Sequence, residues 1–146
     1  MFSSIVIGTD GSETAGKAVA AAIDLARLAG ATLDLVCAYE PIPAQRILDA
    51  GPAPVQVHWA INQREDVDAT LAAAADVVRA AGVELRTHAR EGDPADAILD
   101  VAEERGADLI VVGNKGMTGA KRFLLGSVPN KVSHHAPCSV LIVRTT

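Results

Sequence analysis

Two hydrophobic periods alternate along this chain, and their order restricts the fold more than any other feature. Short apolar runs such as Ile5–Ile7 and residues 109–112 have the length and the β-branched content of buried strands. The stretches between such runs repeat apolar residues every three or four positions, as residues 15–28 do, which is the pattern of an amphipathic helix. Strands that alternate with helices predict a mostly parallel, doubly wound α/β sheet with right-handed crossovers and helices on both faces.

The same two periods give approximate bounds for each element. The predicted strands cover residues 5–7, 32–39, 83–90, 109–112 and 140–143. The predicted helices cover residues 15–28, about 61–81, 94–105, and 127 to 134 or 135. The third helix has the clearest start, because Asp93 can cap it, Pro94 suits the first position, and Asp96 faces the positive end of the helix dipole.

The longest stretch without either period is residues 40–58, which is rich in proline. We expect it to form a long loop at the mouth of the sheet, where functional residues are often found. The chain has 146 residues and 49% hydrophobic content, which is enough for one core. Because neither flank of this stretch could bury a core alone, we predict a single domain over residues 1–146.

The charge of the chain argues against two classes of partner. The formal net charge of -5 comes from scattered acids, and no basic face is predicted that could bind nucleic acid or an anionic membrane. The N-terminal residues lack the pattern of a leader peptide, and no apolar run approaches the ~20 residues that cross a bilayer. We therefore expect a cytoplasmic protein. Cys37 and Cys138 have apolar neighbours and no metal-ligand spacing, which predicts core or near-core thiols.

The clearest functional signal is a set of glycines after the fourth predicted strand. Gly113 and Gly116 are separated by two residues, and nine residues later Gly126-Ser127 opens the last predicted helix. Glycine lets the backbone approach a phosphate closely. The first N–H groups of a helix, here those of Ser127 and Val128, point outward with a partial positive charge. This arrangement predicts an anion site that suits the phosphate of a nucleotide.

A second polar loop, formed by Gly8, Thr9 and Asp10, follows the first predicted strand. Its counterpart after the fourth strand begins with Gly113 and Asn114. Ligands of doubly wound sheets bind outside the carboxyl ends of the strands, at the point where the strand order reverses. If the first and fourth strands are neighbours, both loops face one crevice.

Some of these residues also have purely structural interpretations. Asp10 can form a turn with Ser12 or cap the first helix. His134 and His135 lie near the predicted end of the last helix, where the helix dipole favours a cation. We prefer this interpretation of the two histidines to a metal-binding or catalytic role. Three cations near the glycines can supply charge to a phosphate: Lys115, Lys121 and Arg122. Of these, Lys115 and Arg122 are expected to be solvated.

Three motifs occur in a fixed order along the chain. They are Asp10-Gly11-Ser12 after the first strand, the spacing Gly113-x2-Gly116-x9-Gly126-Ser127, and the closing segment Pro137–Val143. Together they resemble the universal stress protein family, specifically its ATP-binding branch. The start of the last helix and the Ala- and Val-rich composition are also similar to actinobacterial single-domain members that bind cyclic AMP.

The resemblance implies a fold, a ligand and an assembly. It implies a five-stranded parallel sheet in the order 3-2-1-4-5, and a homodimer that pairs through the last strand, Val140–Val143. It implies an adenine nucleotide as ligand, either ATP with Mg²⁺ or cyclic AMP. Asp10 would lie by the ribose or the metal ion, and Ala38 would frame the adenine. The full set of candidate nucleotide-binding residues is Gly8, Thr9, Asp10, Ala38, Gly113, Asn114, Gly116, Gly126, Ser127 and Val128.

A dedicated enzyme is not predicted. The chain has no GxxxxGK(S/T) or GxSxG motif and no pair of carboxylates at helical spacing aimed at the crevice. Phosphoryl transfer also needs a metal clamp, an oriented nucleophile and charge stabilisation, for which Asp10 alone does not suffice. We expect a nucleotide-binding regulatory protein of the stress response. The alternatives are a cyclic-AMP sink, a slow ATP hydrolase, and an interaction protein without a ligand.

Overall fold

The computed structural model describes residues 1–39, 54–114 and 125–145, and for residues 54–65 it describes the backbone alone. The strands are β1 (Ser4–Gly8), β2 (Thr32–Tyr39), β3 (Leu85–Glu91), β4 (Leu109–Gly113) and β5 (Ser139–Val143). The helices in the described part of the chain are α1 (Glu13–Ala29), α2 (Pro54–Ala80), α3 (Pro94–Arg105) and α4 (Ser127–His135). Strands and helices therefore alternate as the sequence predicts.

The strands form one parallel sheet in the order β3-β2-β1-β4-β5. This confirms the predicted five-stranded, doubly wound architecture. The chain moves outward from β1 to β3 and then returns to β4 and β5 on the other side, so the strand order reverses between β1 and β4. Because the strands are parallel, the loops that follow β1 and β4 leave the sheet at the same edge.

Two apolar layers cover the two faces of the sheet. On one face, α1 and α2 pack against alternate strand residues such as Ile5 and Leu35. On the other face, α3 and α4 pack against the intervening residues, which include Val6 and Ile110. β1 and β4 are therefore covered on both faces, which is why their sequences are continuous apolar runs instead of alternating patterns.

The prediction is wrong at the start of the second helix. α2 begins at Pro54 rather than near Ile61, so residues 54–58 are helical and do not belong to the predicted irregular stretch. Proline is tolerated at the first helical position because the first N–H of a helix has no partner within the helix. A proline that suggests a loop in the sequence can therefore equally begin a helix. Residues 40–53 of the predicted loop lie outside the described residues.

The remaining element ends lie within two residues of their predicted positions. The largest of these differences are at the start of α1 and at the start of β3, which begins at Leu85 rather than Val83. Across the described ranges, none of the helices combines the length and the apolar character of a membrane-spanning segment.

Candidate functional site

The loop after β1 leaves the sheet at its carboxyl end, at the edge where the strand order reverses. The N–H of Thr9 donates to the carbonyl of Val36 at 2.8 Å, so the pairing with β2 continues past the end of β1. Gly8 lies against α3, because a Cβ atom at this position would be 2.5 Å from Cδ1 of Ile98. A side chain at this position would have to displace the end of Ile98, so the close packing of α3 on β1 favours a glycine here, whatever the loop binds.

Asp10 has a structural role in the turn before α1. Its Oδ1 accepts a hydrogen bond from the N–H of Ser12 at 2.9 Å, which is the turn that the sequence offers as one interpretation. Ser12 is itself the N-cap of α1, and its Oγ accepts from the N–H of Ala15 at 3.2 Å. The turn fixes the exposed Asp10 carboxylate at the carboxyl end of β1. Its contact with a ribose or a metal ion stays a prediction.

The end of β2 lies beside this turn. Ala38 is half-buried and packs against the core on the α3 face. Its neighbour Cys37 is buried, and burial together with the nearby charge of Asp10 raises the pKa of the Cys37 thiol to about 11. A thiol with this pKa stays protonated at neutral pH and is a poor nucleophile. Cys37 is therefore a core thiol, as predicted.

Asn114, directly after Gly113 at the end of β4, is a junction of hydrogen bonds. Its N–H donates to the carbonyl of Val143 at 2.9 Å, and its carbonyl accepts from the N–H of Gly126 at 2.9 Å. Its Oδ1 accepts from the N–H of Thr145 at 2.8 Å and from the Oγ1–H of Thr145 at 3.1 Å. Asn114 therefore joins the ends of β4 and β5 to the residue that precedes α4.

Helix α4 begins beside this junction without a side-chain cap. Its N-cap is Gly126, and Pro129 at the third position has no N–H, so the first turn presents the N–H groups of Ser127 and Val128. The helix itself offers no acceptor for these two groups. Ser127 is exposed, whereas Val128 packs its side chain against the core. The start of α4 thus combines two backbone donors, one exposed hydroxyl and the positive end of the helix dipole.

Two other helix starts contrast with that of α4. Ser12 caps α1, and the Asp93 carboxylate caps α3 by accepting from the N–H of Asp96 at 3.1 Å. Each of these helices also has an acid in its first turn, whereas α4 has none. An anion would meet negative charge at α1 and α3, so α4 suits a phosphate best among the three.

Some predicted residues lie outside the described part of the chain: Gly116, Lys115, Lys121 and Arg122. Two further residues at this edge of the sheet are not predicted from the sequence. Thr145 is buried at the Asn114 junction. Thr70 of α2 packs so closely that a Cβ atom at Gly11 would lie 3.0 Å from its Oγ1. No sequence pattern marks either threonine, because both contacts depend on which elements meet in space.

Metal binding by the protein alone has no support among the residues described. Within residues 1–39, 54–114 and 125–145, no three His, Cys, Asp or Glu side chains are grouped to hold a metal ion. Asp10 is a single carboxylate, so Mg²⁺ at this position would take its other ligands from nucleotide phosphates and water.

The fold defines a class, the doubly wound α/β domains, whose ligands bind where the strand order reverses. The family model of the universal stress protein family matches residues 1–144, and the chain belongs to this family. Among its relatives is the universal stress protein Rv1636 of Mycobacterium tuberculosis (strain H37Rv), 34% identical over 146 residues. That alignment covers 99% of this chain and 98% of the relative. The resemblance to the universal stress protein family that the sequence shows is thereby confirmed.

Two related structures contain adenine nucleotides. One is a crystal structure of a universal stress protein in complex with cAMP, which has a TM-score of 0.73 and 35% sequence identity to this chain and covers 99% of this chain and 98% of its own. The other is the universal stress protein from Archaeoglobus fulgidus in complex with dAMP, with a TM-score of 0.69 and 25% identity, covering 98% of both chains.

Proposed function

We propose that this protein is a regulator that binds an adenine nucleotide, with ATP as the first candidate ligand, in the crevice between β1 and β4. The observation that carries the proposal is the uncapped, acid-free start of α4, held beside the end of β4 by the bond between Gly126 and Asn114. The related complexes with cAMP and dAMP supply the class of ligand.

The residues suggest how the nucleotide would lie. Its phosphate oxygens would accept from the N–H groups of Ser127 and Val128 and from the Ser127 hydroxyl, with Gly113 and Gly116 allowing close approach of the backbone. Each hydrogen bond to a charged oxygen contributes about 1.5–3 kcal/mol. Such contacts together support binding in the micromolar range, about -8 kcal/mol. Asp10 would face the ribose or a nucleotide-bound Mg²⁺, and Ala38 would face the adenine.

Cyclic AMP is the second candidate ligand, and one specific observation favours it. The related protein solved with cAMP is 35% identical to this chain over nearly its full length. On this alternative the protein would act as a sink or buffer for cyclic AMP rather than as an ATP-dependent regulator.

We propose binding rather than catalysis as the main activity. Asp10 is the sole carboxylate in the proposed nucleotide-binding set, so a metal clamp and a separate general base are not both provided by that set. Slow ATP hydrolysis at the bound phosphates remains compatible with this arrangement.

We further propose a homodimer that pairs along β5. This edge strand exposes apolar side chains, with Leu141 40% and Ile142 37% exposed. The opposite edge, β3, carries the charged residues Arg86 and Arg90, which discourage pairing with another strand. A second copy on β5 would cover the apolar edge, and a two-fold axis is the simplest symmetry for such an interface.

The test is isothermal titration of the protein with ATP plus Mg²⁺ and, separately, with cyclic AMP. The informative variant is Ser127→Asp, which adds a negative charge at the proposed phosphate position. We expect at least about tenfold weaker binding, because the charge repels the phosphate. We also expect unchanged or slightly higher stability, by about 0.3–1 kcal/mol, since an acid suits a helix start.

The matched control is Ser133→Asp, the same substitution in the last turns of α4 and away from its start. It should leave the affinity unchanged. Tighter ATP binding by the wild-type protein would support the first ligand, and tighter cyclic-AMP binding the second. No binding of either nucleotide, or equal affinity of Ser127→Asp and wild type, would contradict the proposed site.

A further inference from the structure

The Asn114 junction contains a buried polar residue, Thr145, that the proposed ligand contacts do not involve. Thr145 follows β5 and is only 3% exposed. Both of its hydrogen-bond donors go to Oδ1 of Asn114, at 2.8 Å from the N–H and 3.1 Å from the hydroxyl. Its carbonyl accepts from Nζ of Lys17 in α1 at 3.4 Å. The segment after β5 is thus held between the end of β4 and α1.

The backbone of Asn114 connects this segment to the start of α4. Its N–H extends the β4–β5 pairing to Val143, and its carbonyl accepts from Gly126, the N-cap of α4. A buried donor that loses its acceptor is costly, so Thr145 favours one orientation of the Asn114 side chain. That orientation in turn restricts the peptide groups on either side of Asn114, including the carbonyl that holds Gly126.

We propose that Asn114 is a positioning residue of the nucleotide site, held in place by Thr145 and holding the start of α4 in turn. This inference rests on the proposed function, because the start of α4 is the proposed phosphate site. This role differs from the direct ligand contact predicted from the sequence, since the Asn114 side-chain oxygen is bonded to Thr145. Binding groups need support of this kind to keep a productive geometry.

The test compares three variants by nucleotide titration, using the nucleotide that the wild-type protein binds more tightly. Thr145→Val keeps the shape of the side chain but removes the hydroxyl donor, and we expect about fivefold weaker binding. Asn114→Ala removes the acceptor of both hydrogen bonds, and we expect at least about tenfold weaker binding. Thr145→Ser keeps the hydroxyl and should bind within about twofold of wild type.

A control variant separates positioning from general loss of stability. Ser3→Ala removes a side-chain hydrogen bond of 3.0 Å to Asp108, at the amino end of the sheet and far from the proposed crevice. Stability to urea is measured for every variant. Because Ser3 is exposed, Ser3→Ala should lose less stability than Thr145→Val, and it should bind nucleotide as tightly as wild type. If Asn114→Ala does not fold, the comparison of Thr145→Val with Thr145→Ser and Ser3→Ala decides the question.

The outcomes distinguish the inference from the function on which it rests. Weaker binding by Thr145→Val, restored in Thr145→Ser and absent in Ser3→Ala, would support the positioning role. Unchanged binding by Thr145→Val, or an equal loss in Ser3→Ala, would overturn it while the proposed function stands. A wild-type protein that binds neither nucleotide would overturn the proposed function and the inference together.

Discussion

Asp34 is the most unusual single side chain, because it is a carboxylate inside the sheet. It lies in β2 and is 0% exposed. Nε2 of His88 lies 2.8 Å from its Oδ1, and Nε of Arg105 lies 3.7 Å from the same atom. Among the described residues its Oδ2 has no hydrogen-bond partner. Removing a carboxylate from water costs several kcal/mol, so Asp34 depends on these two neighbours.

Replacement of His88 should therefore destabilise the fold strongly. His88→Leu removes the hydrogen bond to Asp34 and leaves the buried carboxylate with Arg105 alone. Loss of one partner of a buried pair typically costs about 3–5 kcal/mol, and we expect about 3 kcal/mol because Arg105 remains. Urea unfolding followed by circular dichroism measures the free energy of unfolding.

Two further variants check the cause of this loss. Thr87→Leu changes an exposed neighbour on the same strand and should shift the free energy of unfolding by no more than about 0.5 kcal/mol. Adding Asp34→Leu to His88→Leu should recover stability, since an apolar pair needs no compensation. A single His88→Leu variant as stable as wild type would show that Asp34 does not depend on His88.

The structural roles of some single residues can be predicted from the sequence, and those of others cannot. The sequence identifies Asp10 and Ser12 as turn residues and Cys37 as a core thiol, because local spacing and neighbours determine those roles. It does not predict the pair of Asp34 and His88, which are 54 residues apart and meet only through the pairing of β2 with β3. Contacts of this kind require the strand order first.

Among the elements, the start of α3 is the most completely determined by local sequence. Asp93 is the N-cap, Pro94 opens the helix, and the Asp93 carboxylate accepts from the N–H of Asp96. The fold adds Lys131 of α4, whose Nζ lies 3.3 Å from Oδ2 of Asp93 and 2.8 Å from Oδ1 of Asp96. The lysine thus ties α4 to the start of α3.

We expect Asp93→Ala to lower stability by about 1 kcal/mol at neutral pH, since it removes a helix cap. The backbone N–H of Asp96, with a further contribution from Lys131, holds the pKa of Asp93 below its ordinary value. The carboxylate therefore contributes fully above the ordinary pKa of aspartate, and its contribution is lost as the pH falls through the lower pKa of the folded state. Urea unfolding across the acid range measures both effects.

Asp93→Asn is the matched control, because an amide oxygen can cap the helix without a charge. It should retain most of the stability at neutral pH, and its advantage over Asp93→Ala should persist in acid, where the advantage of the wild-type carboxylate shrinks. A constant difference between wild type and Asp93→Ala through the acid range would contradict the assigned role of the charge.

The two helix starts of α3 and α2 show what element prediction depends on. For α3, the cap, the proline and the acid all lie within a few residues, and the start at Pro94 is as predicted. For α2, Pro54 follows other prolines in a stretch without clear periodicity, so the sequence does not reveal which proline opens the helix. Local sequence signals predict the start of a helix well only when they all indicate the same residue.

For the molecule as a whole, the two edges of the sheet predict how copies associate. We expect the wild-type protein to be a dimer and Ile142→Lys to be a monomer, because a lysine on the apolar edge strand opposes pairing. Size-exclusion chromatography with light scattering at micromolar concentration measures the mass of both proteins. Fold retention in the variant is checked by circular dichroism.

Val77→Lys is the matched control, because it also replaces an exposed apolar side chain by lysine. Val77 lies on α2 and is 59% exposed, more than Ile142. The Val77→Lys variant should remain a dimer if β5 forms the interface. A monomeric wild-type protein, or a dimeric Ile142→Lys variant, would exclude pairing along β5.

The sequence predicts the whole fold better than it predicts the site. Alternation of strands and helices leads to the doubly wound sheet, and the resemblance leads to its strand order. The strand order in turn places the polar loops after β1 and β4 at the same edge of the sheet. The sequence does not predict that Asn114 bonds to Thr145, because the segment after β5 carries no pattern of its own. That contact exists only once β4 and β5 are neighbours.

The unequal edges of the sheet determine how far an assembly can grow. Pairing along β5 about a two-fold axis would join two sheets into one and leave β3 as the outer strand at both ends. The charged residues of β3 oppose addition of a further copy at either end. The stoichiometry would then be limited to two by the sequence of the strand farthest from the interface, and the joined sheet would not extend into a filament.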